Sequence, residues 1–348
     1  MSDAPVVVCL HHPPKADLDA IRTTLETGGR SVDLRLLPWK ESVKLRRARQ
    51  SPPVPAELLA SAPEPSEELL EGWREAEVIA TIDLPVERLG DMPKLRWVQA
   101  YSAGIEQFPL AELAARGIRL TNAAGVGAPA IAEFVFGRLI EVFRNLRDIE
   151  AMQAKRAFHR PGGRSLAGRT LGIVGLGAIG GEVARLGRAF GMKTIATRRS
   201  ARAGDRSDRV DTLYGPDGLE VLLRDSDVIV LCAPATPETE GLIDATALSH
   251  VKPSAVLVNV ARGALVDESA LIEALVEERL HAAVLDVTRR EPLPADDPLW
   301  SAPNVYLSPH SSIPPDAYDE RFVSVFARNL RHYLAGESLV NEVDLSAL

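Results

Sequence analysis

The sequence predicts an α/β protein: a doubly wound parallel sheet, with a second α/β domain that the first one interrupts. Three observations point there. From about Thr170 onward, strand-like and helix-like stretches alternate. The strand-like stretches are nearly continuous apolar runs, as parallel strands covered on both faces require. A last helix-like stretch follows the final strand, and the simplest place for it to pack is back on the amino-terminal region.

The first zone opens with the strand "PVVVCL" and the helix-like "ADLDAIRTTLE". Further strands are expected at "SVDLRLL", "EVIATI", "LRWVQA" and "GIRLTN". Between Lys44 and Ser66 the composition shifts to Pro, Ala, Arg and Glu, which predicts a solvated insertion or mobile loop rather than a phosphate-binding arginine patch. "GAPAIAEFVFGRLIEVFRNL" has helical spacing and a proline in its first turn, so a long helix should join the two domains. The second zone then supplies the strands "TLGIVGL", "KTIAT", "DVIVLCA", "AVLVNVA", "AAVLDV" and "NVYLSP". The closing helix, "DAYDERFVSVFARNLRHYL", follows Pro314 and Pro315, which suit a helix start. These elements place one domain at residues 1–122 and 310–348 and the other at 123–309. No internal repeat is present.

Composition narrows the function. A chain of 348 residues suggests two domains. A formal net charge of −8 argues against coating nucleic acid or an anionic membrane. The start, "MSDAPVVVCLHHPP", has neither a basic region nor a long apolar segment, and no apolar run is long enough to span a bilayer. Cys9 and Cys232 lie in apolar strand-like runs, so two buried reduced thiols are expected and, with them, a cytoplasmic protein. No metal site is expected.

The strongest motif is Gly175-Leu176-Gly177-Ala178-Ile179-Gly180. It follows a strand and opens a helix, the context a dinucleotide-binding turn needs. Gly175 permits the tight turn, Gly177 lets backbone approach a pyrophosphate, and Gly180 allows close helix–strand packing. At the end of the next strand, where an acid would hydrogen-bond the adenosine 2′-hydroxyl, the chain has Arg198, Arg199 and Ser200. Guanidinium groups there suit a 2′-phosphate, so NADP(H) is expected in preference to NAD(H).

A second set lies at strand carboxyl ends, which line the ligand crevice of a doubly wound sheet. "VNVARGALVDESAL" carries Arg262, "AAVLDVTRREPL" carries Asp286 and Glu291, and "NVYLSPH" carries His310. One cation, one carboxylate and one imidazole thus fall beside the nicotinamide end of a dinucleotide.

In these residues the sequence resembles the D-isomer-specific 2-hydroxyacid dehydrogenases. The matching stretches run in family order from "LRWVQAYSAGIEQF" through "LAGRTLGIVGLGAIG", "LCAPATPETEGLID", "VNVARGALVDESAL", "LDVTRREPL" and "NVYLSPH" to "NLRHYLAGESLVNEV". The resemblance implies a Rossmann domain, a discontinuous flavodoxin-like substrate domain and a homodimer. It also implies Arg262, Glu291 and His310 as catalytic residues. Arg262 would hold the carboxylate and carbonyl oxygens of a 2-oxo acid with its planar fork. His310 would give or take the proton, and Glu291 would orient the ring and raise its pKa. The backbone of Ser102, Ala103 and Gly104 would bind the substrate carboxylate. Ala233 and Pro234 would lie along the cofactor, with Val260 and Ala261, and Asp286 would meet the nicotinamide amide or help hold the site's charge.

The expected activity is therefore reduction of a small 2-oxo acid such as glyoxylate or hydroxypyruvate, with no nucleic acid or membrane partner. A non-catalytic dinucleotide sensor and a formate or phosphite dehydrogenase are the competing classes. An intact Arg–Glu–His set argues against the first. Formate enzymes usually carry Gln where this chain has Glu291. The chain departs from the family at Ser311-Ser312-Ile313-Pro314-Pro315, in "TNAAGVGAPAIAE", and across Lys44 to Ser66.

Overall fold

The computed structural model describes residues 5–15, 17–18, 21, 31–50, 52–202 and 204–347. The helix expected at "ADLDAIRTTLE" falls largely outside them. The chain forms two compact units, Met1–Val126 with Pro315–Leu348, and Gly127–Pro314. Both divisions lie a few residues beyond the positions read from sequence. Gly127 caps the helix Ala128–Phe143, and the residues after His310 still fold onto Asp286 of the second unit.

The first unit is a five-stranded parallel sheet of β1 (Val6–Leu10), β2 (Val32–Leu36), β3 (Val78–Thr81), β4 (Trp97–Ala100) and β5 (Arg119–Thr121), in the order β2-β1-β3-β4-β5. This is the flavodoxin-like order. The helix Pro315–Ala335 returns to it because Phe322, Val323, Phe326, Ala327 and Leu330 recur at helical spacing and are all at most 2% exposed. Each large side chain so buried contributes about 1.5–3 kcal/mol. Trp97 of β4 packs between Phe326 and Tyr333, with ring centroids 5.5 and 5.3 Å away. Asn329 fixes the register, donating to Gln99 Oε1 and the Val340 carbonyl and accepting from the Val340 amide.

The Lys44–Ser66 segment is largely exposed, as a solvated insertion should be, but it is helical in part where its composition suggests a loop. It contains helical residues of Val43–Arg49 and all of Ala56–Leu59. Two of its three arginines are paired: Arg46 grips the buried Asp83 through Nε and Nη2, and Arg49 bridges Glu41 and Glu87. The partners lie outside the segment, so composition alone could not show them.

The second unit is a seven-stranded parallel sheet of β6 (Thr170–Val174), β7 (Lys193–Thr197), β8 (Thr212–Tyr214), β9 (Val228–Leu231), β10 (Val256–Asn259), β11 (Ala282–Leu285) and β12 (Val305–Leu307). Its order is β12-β11-β10-β9-β6-β7-β8, a Rossmann sheet whose direction of winding reverses between β6 and β9. The sequence does not announce β8, a three-residue edge strand hydrogen-bonded only to β7. The expected long helix stops at Phe143, because Asn145 takes a left-handed backbone (φ 51°) before a second helix, Leu146–Ala154.

Among the described residues, no helix is long and apolar enough to cross a membrane and no cluster of three metal-binding side chains occurs. Cys9 and Cys232 are free thiols, the first buried and the second only partly so.

Candidate active site

The glycine turn lies at the switch point between β6 and β9. Gly175 has φ 101°, and a Cβ on it would sit 2.8 Å from the Ala233 amide nitrogen, so the turn presses directly on the loop after β9. Gly180 packs as tightly on its own turn: a Cβ there would lie 2.2 Å from the Gly175 carbonyl oxygen. Gly177 is the opposite case, with nothing within 4 Å of the position a Cβ would take. It caps the helix Ala178–Ala189 without any side-chain hydrogen bond, so the first-turn N–H groups of Ala178, Ile179 and Gly180 are left for a ligand. Positive helix end, uncapped donors and open space at Gly177 together fit a pyrophosphate. Ala233 and Pro234 follow β9 and border this turn.

Arg198, Arg199 and Ser200 follow β7 and are exposed. The amides of Gly175 and Leu176 both donate to the Thr197 carbonyl at 3.1 Å, which stitches the glycine turn to the residue before Arg198. Among the described residues, the Arg198 guanidinium has no hydrogen-bond or ion-pair partner. Arg199 lies within electrostatic reach of Glu238, whose carboxyl is held below its ordinary pKa chiefly by a hydrogen bond from Thr236, with Arg199 a lesser contributor.

Arg262, Glu291 and His310 converge at the carboxyl ends of β10, β11 and β12. Asn259, at the end of β10, folds the Arg262 loop: its side chain accepts from the Ala261 amide at 3.0 Å and donates to the Arg262 carbonyl at 2.9 Å. Arg262 Nη1 in turn donates to the Ala261 carbonyl, and Val260 and Ala261 are buried in the stem of this loop. Gly263 lets that loop touch the next. A Cβ on Gly263 would lie 2.0 Å from the Thr288 carbonyl carbon and 2.3 Å from the Arg289 nitrogen. The same 288–291 loop positions Glu291, whose Oε1 accepts from the Thr288 amide.

Glu291 Oε2 lies 2.9 Å from His310 Nδ1. That hydrogen bond is the largest influence on the imidazole and raises its pKa; burial works against it, the charges of Glu291 and Asp286 add to it, and Arg262 opposes it. The interaction keeps a proton on Nδ1, and Nε2 is left to meet a substrate. His310 has a left-handed backbone (φ 54°), and its amide donates to the Asp286 carbonyl at 2.8 Å.

Asp286 is 1% exposed. Its carboxylate accepts from Ser308 Oγ and from the Ser311 and Ser312 amides. It therefore clamps both sides of His310, which explains an acid at a strand end better than sequence position did.

In the first unit, Ser102, Ala103 and Gly104 follow β4. All three carbonyls are taken: Ser102 O by the Ala123 amide, Ala103 O by Asn122 Nδ2 and Gly104 O by Ser102 Oγ. Among the described residues none of the three amides finds an acceptor. Tied carbonyls and unspent N–H groups are the backbone arrangement an anion would need.

A Rossmann sheet with an open glycine turn, and an Arg, Glu and His at successive strand ends, defines a nicotinamide-dependent oxidoreductase. The chain belongs to the D-isomer specific 2-hydroxyacid dehydrogenase family, whose NAD-binding domain model matches residues 136–312. It is 39% identical to a glyoxylate reductase of Korarchaeum cryptofilum (strain OPF8) over 72% of this chain and 77% of the relative. Its fold matches the crystal structure of a D-isomer specific 2-hydroxyacid dehydrogenase family protein from Aeromonas salmonicida subsp. salmonicida A449 at a TM-score of 0.75 and 30% identity, covering 98% of this chain and 100% of that one. A D-isomer specific 2-hydroxyacid dehydrogenase from Xanthobacter autotrophicus Py2, solved in complex with NADPH and MES, matches at a TM-score of 0.71 and 25% identity over 99% of both chains. The protein is thus an NAD(P)-dependent oxidoreductase.

Proposed function

We propose that this protein is an NADPH-preferring reductase of small 2-oxo acids, with glyoxylate and hydroxypyruvate the first substrates to consider. The observation that carries the reading is the Glu291–His310 pair, a hydrogen-bonded acid catalyst set beside an arginine at the strand ends. The 39% identical relative named glyoxylate reductase supports the substrate class. Arg198 without an acidic partner, together with the NADPH-bound family structure, supports the cofactor.

When bound, the reduced nicotinamide supplies the hydride that the carbonyl carbon receives. Arg262 holds the carboxylate and carbonyl oxygens in one plane and meets the charge that develops on the carbonyl oxygen. His310 Nε2 donates the proton to that oxygen, leaving a 2-hydroxy acid of D configuration. Glu291 keeps the ring oriented and favours the imidazolium until the proton leaves. The first-turn N–H groups at Ala178, Ile179 and Gly180 take the pyrophosphate, and Arg198, Arg199 and Ser200 take the 2′-phosphate. Val260, Ala261, Ala233 and Pro234 line the cofactor. The enzyme works as a cytoplasmic homodimer.

The test is initial-rate kinetics with a panel of 2-oxo acids and both reduced cofactors at low ionic strength. A charge-assisted hydrogen bond to the 2′-phosphate predicts a roughly 10–150-fold higher kcat/KM for NADPH than for NADH. That preference should shrink with added salt, which screens exposed charges. Equal values for the two cofactors would overturn the NADPH assignment. No turnover of any 2-oxo acid would overturn the activity.

A further inference from the structure

We propose that Arg209 is a third arm of the site for the cofactor's 2′-phosphate, and that Gly181 exists to seat it. The inference rests on the reading of this site as NADPH-preferring.

Arg209 lies in the segment between β7 and β8 and turns back to the glycine turn. Its Nη2 donates to the Gly177 carbonyl oxygen at 3.0 Å. Its guanidinium fills the place where any side chain at residue 181 would begin: a Cβ on Gly181 would lie 1.3 Å from Nη2, 2.1 Å from Cζ and 2.6 Å from Nε. Gly181 lies inside the helix Ala178–Ala189 and has no left-handed backbone to account for it. A glycine in a helix interior is unfavourable relative to alanine. Space for Arg209 is the reason the structure offers.

Position gives the cation its task. The glycine turn is stitched to the Thr197 carbonyl, one residue before Arg198. Arg209 lies in the same β7–β8 connection as Arg198 and Arg199, and its side chain reaches back to the Gly177 carbonyl. Beside Gly177 the structure is open. Among the described residues Arg209 has no carboxylate partner, whereas Arg199 acts on Glu238. A guanidinium carries five N–H donors, and the Gly177 carbonyl engages one side of it, fixing its plane while leaving donors to spare. A dianionic phosphate monoester is the ligand that an uncompensated guanidinium anchored at the Gly177 turn would take. The pyrophosphate has its own donors in the first-turn amides.

The test is direct binding to the full-length protein of 2′,5′-ADP and 5′-AMP, which differ only in the 2′-phosphate. Calorimetry compares the parent with Arg209→Gln, Gly181→Ala and the double variant Arg198→Ala/Arg199→Ala. The parent should bind 2′,5′-ADP at least about 10-fold tighter than 5′-AMP. Arg209→Gln should erase most of that gap while 5′-AMP affinity stays within twofold. Gly181→Ala should do the same with Arg209 still in place, because only the far end of a flexible side chain has to move. A parent gap that survives in Arg209→Gln sinks the role of Arg209 but leaves the NADPH reading standing, and the Arg198/Arg199 variant then shows what carries it. Equal losses for both ligands would place Arg209 on the 5′-phosphate and overturn the proposal. A parent without any gap would refute the NADPH reading itself, and the inference with it. Should Gly181→Ala fail to fold, Arg209→Gln decides alone.

Discussion

Glu291 Oε2 accepts the Nδ1 proton of His310 across 2.9 Å, joining the loop after β11 to the residue that ends the β12 segment. The bond orients the ring and raises its pKa above the ordinary histidine value.

The pH dependence follows from that direction. Reduction needs the imidazolium, so kcat/KM for 2-oxo acid reduction should be flat at low pH and fall as pH rises through the elevated pKa. Oxidation of the 2-hydroxy acid needs the neutral ring and should show the mirror profile. Glu291→Gln should move both transitions to lower pH, toward the unperturbed value of about 6.5. Stability has the same sign: the pair's contribution is complete below the unfolded pKa and lost as pH rises through the folded one. Overlapping profiles for parent and variant would remove Glu291 from this role.

Arg262→Lys keeps the charge and loses the fork. An ammonium cannot hold two oxygens in one plane as a guanidinium does. The loss of a charge-assisted pair predicts at least a roughly 10-fold fall in kcat/KM, with KM raised as well. Unchanged steady-state constants on the best substrate would contradict the assignment.

Gly263→Ala tests how the site is built. The new Cβ would meet backbone atoms of Thr288 and Arg289, which cannot swing aside as a side chain can. Overpacking of this kind costs about 1–3 kcal/mol. Thermal unfolding should shift down accordingly, and activity should fall further than stability because the displaced loop carries Glu291. Parent-like melting and activity would show that the loops tolerate separation.

Asp286→Asn keeps the shape of the His310 turn and removes the charge. Its carboxylate holds Ser308, Ser311 and Ser312 together. Replacing one accepting oxygen with an NH₂ group turns a donor toward a donor, and a buried unsatisfied group costs about 1–3 kcal/mol. Calorimetric unfolding should register that loss, and NADPH affinity should change little if the clamp is its main task. A large loss of NADPH affinity without loss of stability would instead place Asp286 on the cofactor.

Much of this was legible in the sequence where local rules apply. Gly175 and Gly180 follow from a strand, a turn and a helix start, each with its own sequence signature. The parallel sheet follows from apolar runs alternating with helical spacing. What was hidden depends on contacts distant in the chain. Arg209 meets Gly177 across 32 residues, and its only trace is Gly181, a second glycine that the turn itself does not require. Arg46 and Arg49 looked solvated because Asp83 and Glu87 lie more than 30 residues away. The strand β8 has three residues, too few for periodicity to speak.

The central claim is that His310 Nε2 delivers the proton while the rest of the site binds and orients. The most direct measurement is the single-turnover rate of NADPH oxidation by glyoxylate, with enzyme in excess, for the parent and His310→Ala, alongside the Kd for NADPH of each. General acid catalysis predicts a fall of ~10²–10⁴-fold in that rate, with the Kd within about twofold. A folded His310→Ala enzyme that turns over within a few-fold of the parent would contradict the account.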